Sequence, residues 1–493
     1  MNKDFIERLN QPKYLLPIII ILAASVRIIF FMGHVFSDDS YYSQLAISFL
    51  EGNYPSDFIG YPIHLARKLV TVLTAVGFII LGENEIGSIL FPFLFSILSL
   101  PIIYGIAKEL FNEKIALTAV FLLAFFPTDI IFATLNFADL ITAFFINFGI
   151  YYLIKYYKES VLKYSFFAGM YFAISIFAKM SFYYVGILLL LLFVYQFIRT
   201  KKLDPGLLVS MALPLTILIV EGIFTGIKTG NYFYRLQLVE ENYNYTYYNF
   251  FPYTILGSNF TNSEYLLGIL RQVFIENLPS IFLRRFYLFV PILALIQSFI
   301  LLRNREHREI VYWFLGLTIL LAAFTTSPLS YKPLDLKLSW YIYPLFVPAI
   351  ILASVFINKF NVRLQSIYLI LFVAASIFMS LEYQKYFGIS EKKEFKNFIS
   401  DNPTEIIFTD HHTKYGIDLI DGYPNIRRAK RISNLDRDER NIPPKSYVIY
   451  NPSVVDELEK QGHEFKLFQD LFSEKFKLIE VISGFEIYQK VEY

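Results

Sequence analysis

Apolar runs of membrane-spanning length recur along the chain, and that feature limits its folds more than any other. A helix needs about 20 largely apolar residues to cross a hydrocarbon layer of ~30 Å. Runs near 14–33, 86–107, 115–132, 139–154, 164–179, 183–198, 206–227, 286–302, 310–328, 340–358 and 366–382 approach or reach that length. In lipid every backbone N–H and C=O must pair within the chain, so such runs read as helices. The expectation is a mainly α, polytopic membrane protein with about 11 transmembrane helices. Charged residues make up only 17% of the chain, against roughly a quarter in a soluble domain. The formal net charge of +2 gives no case for a nucleic-acid partner. The absence of Cys excludes disulfides, a thiol nucleophile and a Cys-ligated metal.

One further apolar stretch, Leu65–Leu81, is ambiguous, and charge resolves it. If it lies in the membrane plane, the segments 1–13, 107–114, 155–163, 199–205, 303–309 and 359–365 share one side, with 16 Lys and Arg in 51 positions. The opposite segments (34–85, 133–138, 179–182, 228–285 and 329–339) hold 10 in 131. That bias marks the first side as cytoplasmic. The 65–81 segment, which carries Arg67-Lys68 near its start, is therefore expected as an in-plane helix. The N-terminal run from Tyr14 is too long for a signal core and lacks a small-residue cleavage site, so it reads as an uncleaved first span. The reading is a multi-pass cell-membrane protein, with a cytoplasmic N-terminus and an extracytoplasmic C-terminus.

Two outer loops, 34–85 and 228–285, are long enough to be functional or to touch headgroups. The second carries a Tyr/Asn cluster over 242–251. Composition changes near Glu382, dividing a transmembrane domain (1–382) from a soluble one (383–493). Short apolar runs at Glu405–Thr409, Ser446–Tyr450, Leu478–Ile482 and Phe485–Val491 alternate there with the charged stretches Glu391–Ile399 and Val454–Gln461. That alternation predicts a small α/β domain. Asn244-Tyr-Thr246 and Asn259-Phe-Thr261 match a glycosylation sequon on the outer side.

Candidate chemistry gathers at the outer boundary. Asp38-Asp39 follow the first span. Two adjacent carboxylates there can supply a general base for an acceptor hydroxyl, hold a cation, or, with Ser37, simply cap a helix. Asp139 opens another span, where an acid is costly unless paired or wet. Helix capping is its bland alternative, and the favoured one for Asp129. Lys179 interrupts two apolar runs, Arg27 lies within the first span, and Arg235, Lys332 and Lys337 stand in outer loops. Cations at this depth suit a lipid-linked phosphate, or else snorkel to headgroups. Glu221 either faces the same cavity or pairs with Arg27 or another cation. His411-His412 follow a predicted strand; adjacent His in extended chain point opposite ways and chelate poorly, so a surface turn is favoured over a metal site with Asp410. No P-loop, HExxH or nucleophile elbow is present, so an activated donor would come from the membrane and not from a soluble nucleotide.

These residues resemble the opening of the GT-C glycosyltransferases, above all the protein O-mannosyltransferase and lipid A aminoarabinose transferase branch. The likeness rests on Arg27, then Asp38-Asp39 followed by Tyr42 and Ala46, then Gly52, Tyr61-Pro62 and Gly82. Pro127 followed by Asp139, Lys179 at the outer end of a later span, and Tyr341-Ile-Tyr343-Pro344 extend it. It covers about the first 200 residues well and the rest by architecture. Position 39 is Asp where the branch usually has Glu, and Asn136-Phe-Ala departs from the usual lead-in to the second acid. The only Trp residues are Trp313 and Trp340, so the Trp-Trp-Asp segment of oligosaccharyltransferases is missing.

The resemblance implies a polyprenyl-phosphate-sugar donor reached laterally from the outer leaflet, and inversion at the anomeric centre. It implies Asp38 as the base and Asp139 as the group orienting acceptor or donor. Lys179, with Arg27 or Arg235, would hold the leaving phosphate, and Asp39, Tyr42, Tyr61 and Glu221 would meet the substrates. The acceptor would be a protein, lipid or polysaccharide hydroxyl, with no cofactor and no metal expected. Two rivals are a transporter or lipid flippase and a non-catalytic assembly or sensor protein. Against the first, no duplicated halves are visible. Against the second stand the paired acids at 38–39.

Overall fold

A computed structural model describes residues 12–53, 63–250, 268–324, 334, 336–402, 407–409, 413, 417, 432–434, 442, 445–452, 476–482 and 484–491. Each expected span is met by a helix: Pro12–Ile29, Glu85–Leu110, Glu113–Ala124, Ala138–Glu159, Leu162–Ala178, Phe182–Thr200, Pro205–Thr229, Val290–Asn304, Arg308–Ala323, Tyr343–Ile357 and Val362–Tyr386. Among the described residues, six helical segments are long and apolar enough to cross a membrane. They are Glu85–Leu110, Ala138–Glu159, Phe182–Thr200, Pro205–Thr229, Ser339–Ile357 and Val362–Tyr386.

Polar residues at the boundaries set the helix starts. The Asn84, Asn112 and Asn361 side chains accept N–H bonds from Gly87, Ile115 and Leu364, each at 3.0 Å. Asp204 caps the next turn by accepting from Gly206 and Leu207. Such caps satisfy backbone donors that the helix itself cannot reach.

Two of the expected segments are broken. The 115–132 run stops at Ala124, and a short helix, Pro127–Phe132, restarts beyond Phe125 and Phe126. Pro127 forces the break: Phe126 takes extended backbone because a residue before proline avoids the helical region. That restart carries Asp129 inward. The 65–81 segment likewise divides into Ile63–Ala66 and Lys68–Leu81, leaving Arg67 at the joint. The Tyr/Asn cluster read as loop is helical over Tyr234–Phe250.

Tyr343–Ile357 is the hub and packs against Val290–Asn304, Glu113–Ala124 and Ala138–Glu159. The window around it is 83% buried, against 22% for Phe182–Thr200 and 17% for Pro205–Thr229, which therefore form an outer wall. Val220, Phe224 and Ile227 on that wall face outward, as a lipid-facing surface requires. At Gly169 the backbones of neighbouring helices touch: a Cβ there would stand 3.0 Å from Ser210 O. Small residues permit such close approach in membranes.

The C-terminal part is α/β. Helix Ile389–Asp401 precedes strands β1 (Ile407–Thr409), β2 (Ile432–Asn434), β3 (Tyr447–Tyr450), β4 (Phe476–Ile482) and β5 (Phe485–Lys490). The sheet order is β2-β1-β3-β5-β4; β1 is parallel to β2 and β3, while β5 is antiparallel to β3 and β4. Four strands match the expected apolar runs, and β2 was not anticipated. The predicted Val454–Gln461 helix lies outside the described residues, as do His411-His412. Phe395, Ile399, Ile407, Ile449, Phe485 and Ile487 form the domain's own core.

Candidate active site

Asp38 and Asp39 open the Asp38–Leu50 helix and do different work. Asp39 turns back on the preceding loop. Its Oδ2 accepts the Val35 N–H at 2.5 Å and its Oδ1 the Ser37 N–H at 2.6 Å. His34 Nδ1 lies 2.9 Å away. Burial alone would raise its pKa, but His34 and the two N–H groups outweigh that and hold it down to about 2. Asp39 is expected from sequence to meet substrate; in the structure its partners are Val35, Ser37 and His34 of its own loop.

Asp38 keeps its carboxylate available, with its side chain 36% exposed. Its Oδ1 stands 3.5 Å from His64 Nε2 and its Oδ2 3.4 Å from Arg67 Nη1. Burial pushes the carboxyl up, yet His64 and then Arg67 overcome it and keep it well below the usual carboxylate range. Arg67 Nη1 also donates to the Tyr42 hydroxyl, and the Tyr42 ring meets His64 edge-on. Tyr42 thus supports the groups around Asp38.

The second acid is reached through Lys179. Leu162–Ala178 ends with Lys179 in extended backbone. Its Nζ lies 2.6 Å from Asp139 Oδ1 and 4.4 Å above the Tyr341 ring. Both members of the pair are buried. The charges of Arg67 and Lys179 both act on Asp38, so two cations and two carboxylates form one electrostatic group. Arg67, Lys179 and Tyr341 face a cavity of about 960 Å³. Its remaining walls are largely apolar, with Leu189, Leu190 and Phe193 from one helix and Met211, Leu215 and Leu218 from the next.

Glu221 and Arg235 form a separate, adjoining cluster. Arg235 Nε and Nη2 reach the two Glu221 oxygens at 2.7 and 2.9 Å, and Lys68 Nζ lies 3.1 Å from Glu221 Oε1. Arg235 Nη1 also donates to Ile176 O at 3.2 Å. Glu221 is therefore paired with a cation other than Arg27, one of the two arrangements expected from sequence.

Arg27 is not brought to the cavity. It is fully buried, with Nε donating to Ser96 Oγ at 2.6 Å, Nη1 to Ala23 O and Ala124 O, and Nη2 paired to Asp129. Tyr343 OH donates to the other Asp129 oxygen at 2.8 Å. These contacts occupy the guanidinium and leave no donor for a lipid phosphate. Asp129, read as a cap, is the anion of this knot. Tyr61 and Lys332 lie outside the described residues. Lys337 reaches Glu276, with Nζ 2.8 Å from Oε2, and not the cavity.

Sequence reasoning missed His34, His64 and Arg67 as site residues. The signal was present: Arg67 is one of few cations in the outer segments, and both histidines lie in the loop that carries Asp38. Among the described residues no group of three or more His, Asp and Glu side chains converges in metal-holding geometry.

By sequence, a family model described as dolichyl-phosphate-mannose-protein mannosyltransferase matches residues 69–221. No curated protein matches. By structure, ArnT from Cupriavidus metallidurans bound to undecaprenyl phosphate superposes over 96% of this chain and 97% of its own, at 12% identity and a TM-score of 0.56. The fold is that of the GT-C glycosyltransferases. The apo form of the same ArnT matches the GT-C fold here with a TM-score of 0.51, 12% identity and the same coverage. The oligosaccharyltransferase AglB from Archaeoglobus fulgidus, in complex with an inhibitory peptide and a dolichol-phosphate, matches over 97% of this chain and 74% of its own, at 12% identity and a TM-score of 0.50. The GT-C resemblance read from the sequence thus holds at the level of fold.

Proposed function

We propose that this chain is a membrane glycosyltransferase that moves a sugar from a polyprenyl-phosphate-linked donor to an acceptor hydroxyl on the outer side of the membrane. One observation carries the reading: Lys179 and Arg67 stand at the polar part of a cavity whose other walls are apolar, beside Asp38. A lipid-linked phosphate needs that combination of cations and apolar surface. The family match and the lipid phosphates named with the structural relatives support the same ligand class.

In this reading Asp38 takes the proton from the acceptor hydroxyl. The acceptor oxygen forms a bond to the anomeric carbon as the bond from that carbon to the phosphate oxygen breaks. Attack from the face opposite the phosphate inverts the centre. Lys179 and Arg67 hold the charge that grows on the departing phosphate. Such preorganised charge contributes more than the base, whose share is ~10²–10⁴-fold. Arg235 is held by Glu221, so Arg67 replaces Arg27 and Arg235 as the partner of Lys179. Asp139 sets the position of Lys179.

The same reading makes 1–382 a membrane domain and 383–493 an extracytoplasmic one. Lys68–Leu81, at 14 residues, spans ~21 Å at the helical rise and fits a helix lying in the interface. A transporter or flippase remains the rival class. Purified protein supplied with polyprenyl-phosphate-sugar and no acceptor decides between them. Release of free sugar and polyprenyl phosphate, lost in Asp38→Asn, supports the enzyme; an inert donor sinks it.

A further inference from the structure

Two residues shortly after the first span, Val35 and Phe36, are gripped by the C-terminal domain. Phe36 places its ring 5.7 Å from Phe395 and 5.2 Å from Phe485, edge to face, against the core of the soluble domain. Its backbone is left-handed, with φ at 54°. A bulky residue rarely adopts that region and keeps it only where its surroundings hold it.

Two lysines from the Ile389–Asp401 helix complete the grip. Lys392 Nζ donates to Val35 O at 2.7 Å, and the Val35 N–H is one of those bound by Asp39. Lys396 Nζ lies 2.6 Å from Glu85 Oε1, and the same oxygen accepts the His34 N–H at 2.6 Å. Gly33 leaves room for that carboxylate: a Cβ there would stand 2.5 Å from Glu85 Oε1. His34 in turn lies against Asp39 and Ser40. Each contact reaches the 34–36 segment that leads into Asp38, directly or through Glu85.

We infer that the C-terminal domain is a positioning element: by docking on Phe36, Val35 and Glu85 it fixes the loop that presents Asp38. Removing the grip should loosen the loop without removing any group that meets substrate. The inference rests on the proposed role of Asp38 only for its effect on turnover; the effect on the loop is independent of it.

Amide hydrogen exchange on the purified full-length protein tests it. In Lys392→Met/Lys396→Met the amides of 34–40 should exchange at least 10-fold faster, while those of β3 and β5 stay protected. Phe36→Ala should do the same, and Phe36→Leu should restore much of the protection. Sugar transfer should fall about 10-fold in kcat with KM for the donor lipid unchanged. Unchanged exchange at 34–40 in both variants overturns the inference. Faster exchange with undiminished turnover supports the docking and instead counts against Asp38 as the base.

Discussion

Lys179 and Asp139 form a buried ion pair, Nζ to Oδ1 2.6 Å, between the end of one helix and the start of another. Losing one partner strands a charge in a poorly solvated place, which typically costs about 3–5 kcal/mol, whereas apolar replacement of both is often neutral. Lys179→Met should therefore lower the unfolding temperature in detergent, and Lys179→Met with Asp139→Leu should recover most of it. Neither should transfer sugar. Transfer at the wild-type rate by the stabilised double variant would remove the pair from the mechanism.

Asp38 should stay ionised into acid. Burial raises its pKa but His64 and Arg67 lower it further, to below the ordinary carboxylate value. A depressed value means that the base form, and the stability it contributes, are both lost only as pH falls through the folded pKa. The acid limb of kcat/KM should lie below the usual carboxylate region, and His64→Gln should move it to higher pH. A limb that does not move in this variant would show that another group titrates there.

Arg27 should prove structural. Its guanidinium joins the first span to Ser96, the Ala124 carbonyl and Asp129. Arg27→Lys cannot reproduce that fork and Arg27→Met leaves Asp129 uncompensated, so both should destabilise, the second by about 3–5 kcal/mol. Folded Arg27→Lys should bind polyprenyl phosphate with wild-type affinity by titration. A selective loss of affinity would return Arg27 to the site.

Topology is open to direct measurement. If Lys68–Leu81 lies in the plane, reporters fused after Gly82 and after Lys385 should both be active on the outer side. If it crosses, both should report the cytoplasm, and Asp38 would be separated from Asp139.

The spans were legible because a long apolar run has few other uses, and Pro127 could have announced the break at Phe126. The pairing of charges was not. Arg27 meets Asp129 across 102 positions and Lys68 meets Glu221 across 153, and nothing local in the sequence fixes which cation faces which acid. Asp38 and Asp39 show the same limit at short range. Their chemistry is identical, and only the reversal of the loop at Phe36 turns one fully inward and leaves the other half-buried. Arg67 reads in sequence only as the charged start of an in-plane helix, and its place beside Asp38 comes from the joint between two helices.

The thin outer wall formed by Phe182–Thr200 and Pro205–Thr229 has a kinetic consequence. A ligand whose tail occupies the space behind that wall need never leave the bilayer, so its search is two-dimensional. Its concentration is then a mole fraction of the surrounding lipid and not an amount per litre. Diluting the protein with detergent or extra lipid should slow turnover at constant bulk donor, and rates should coincide only when plotted against donor per lipid.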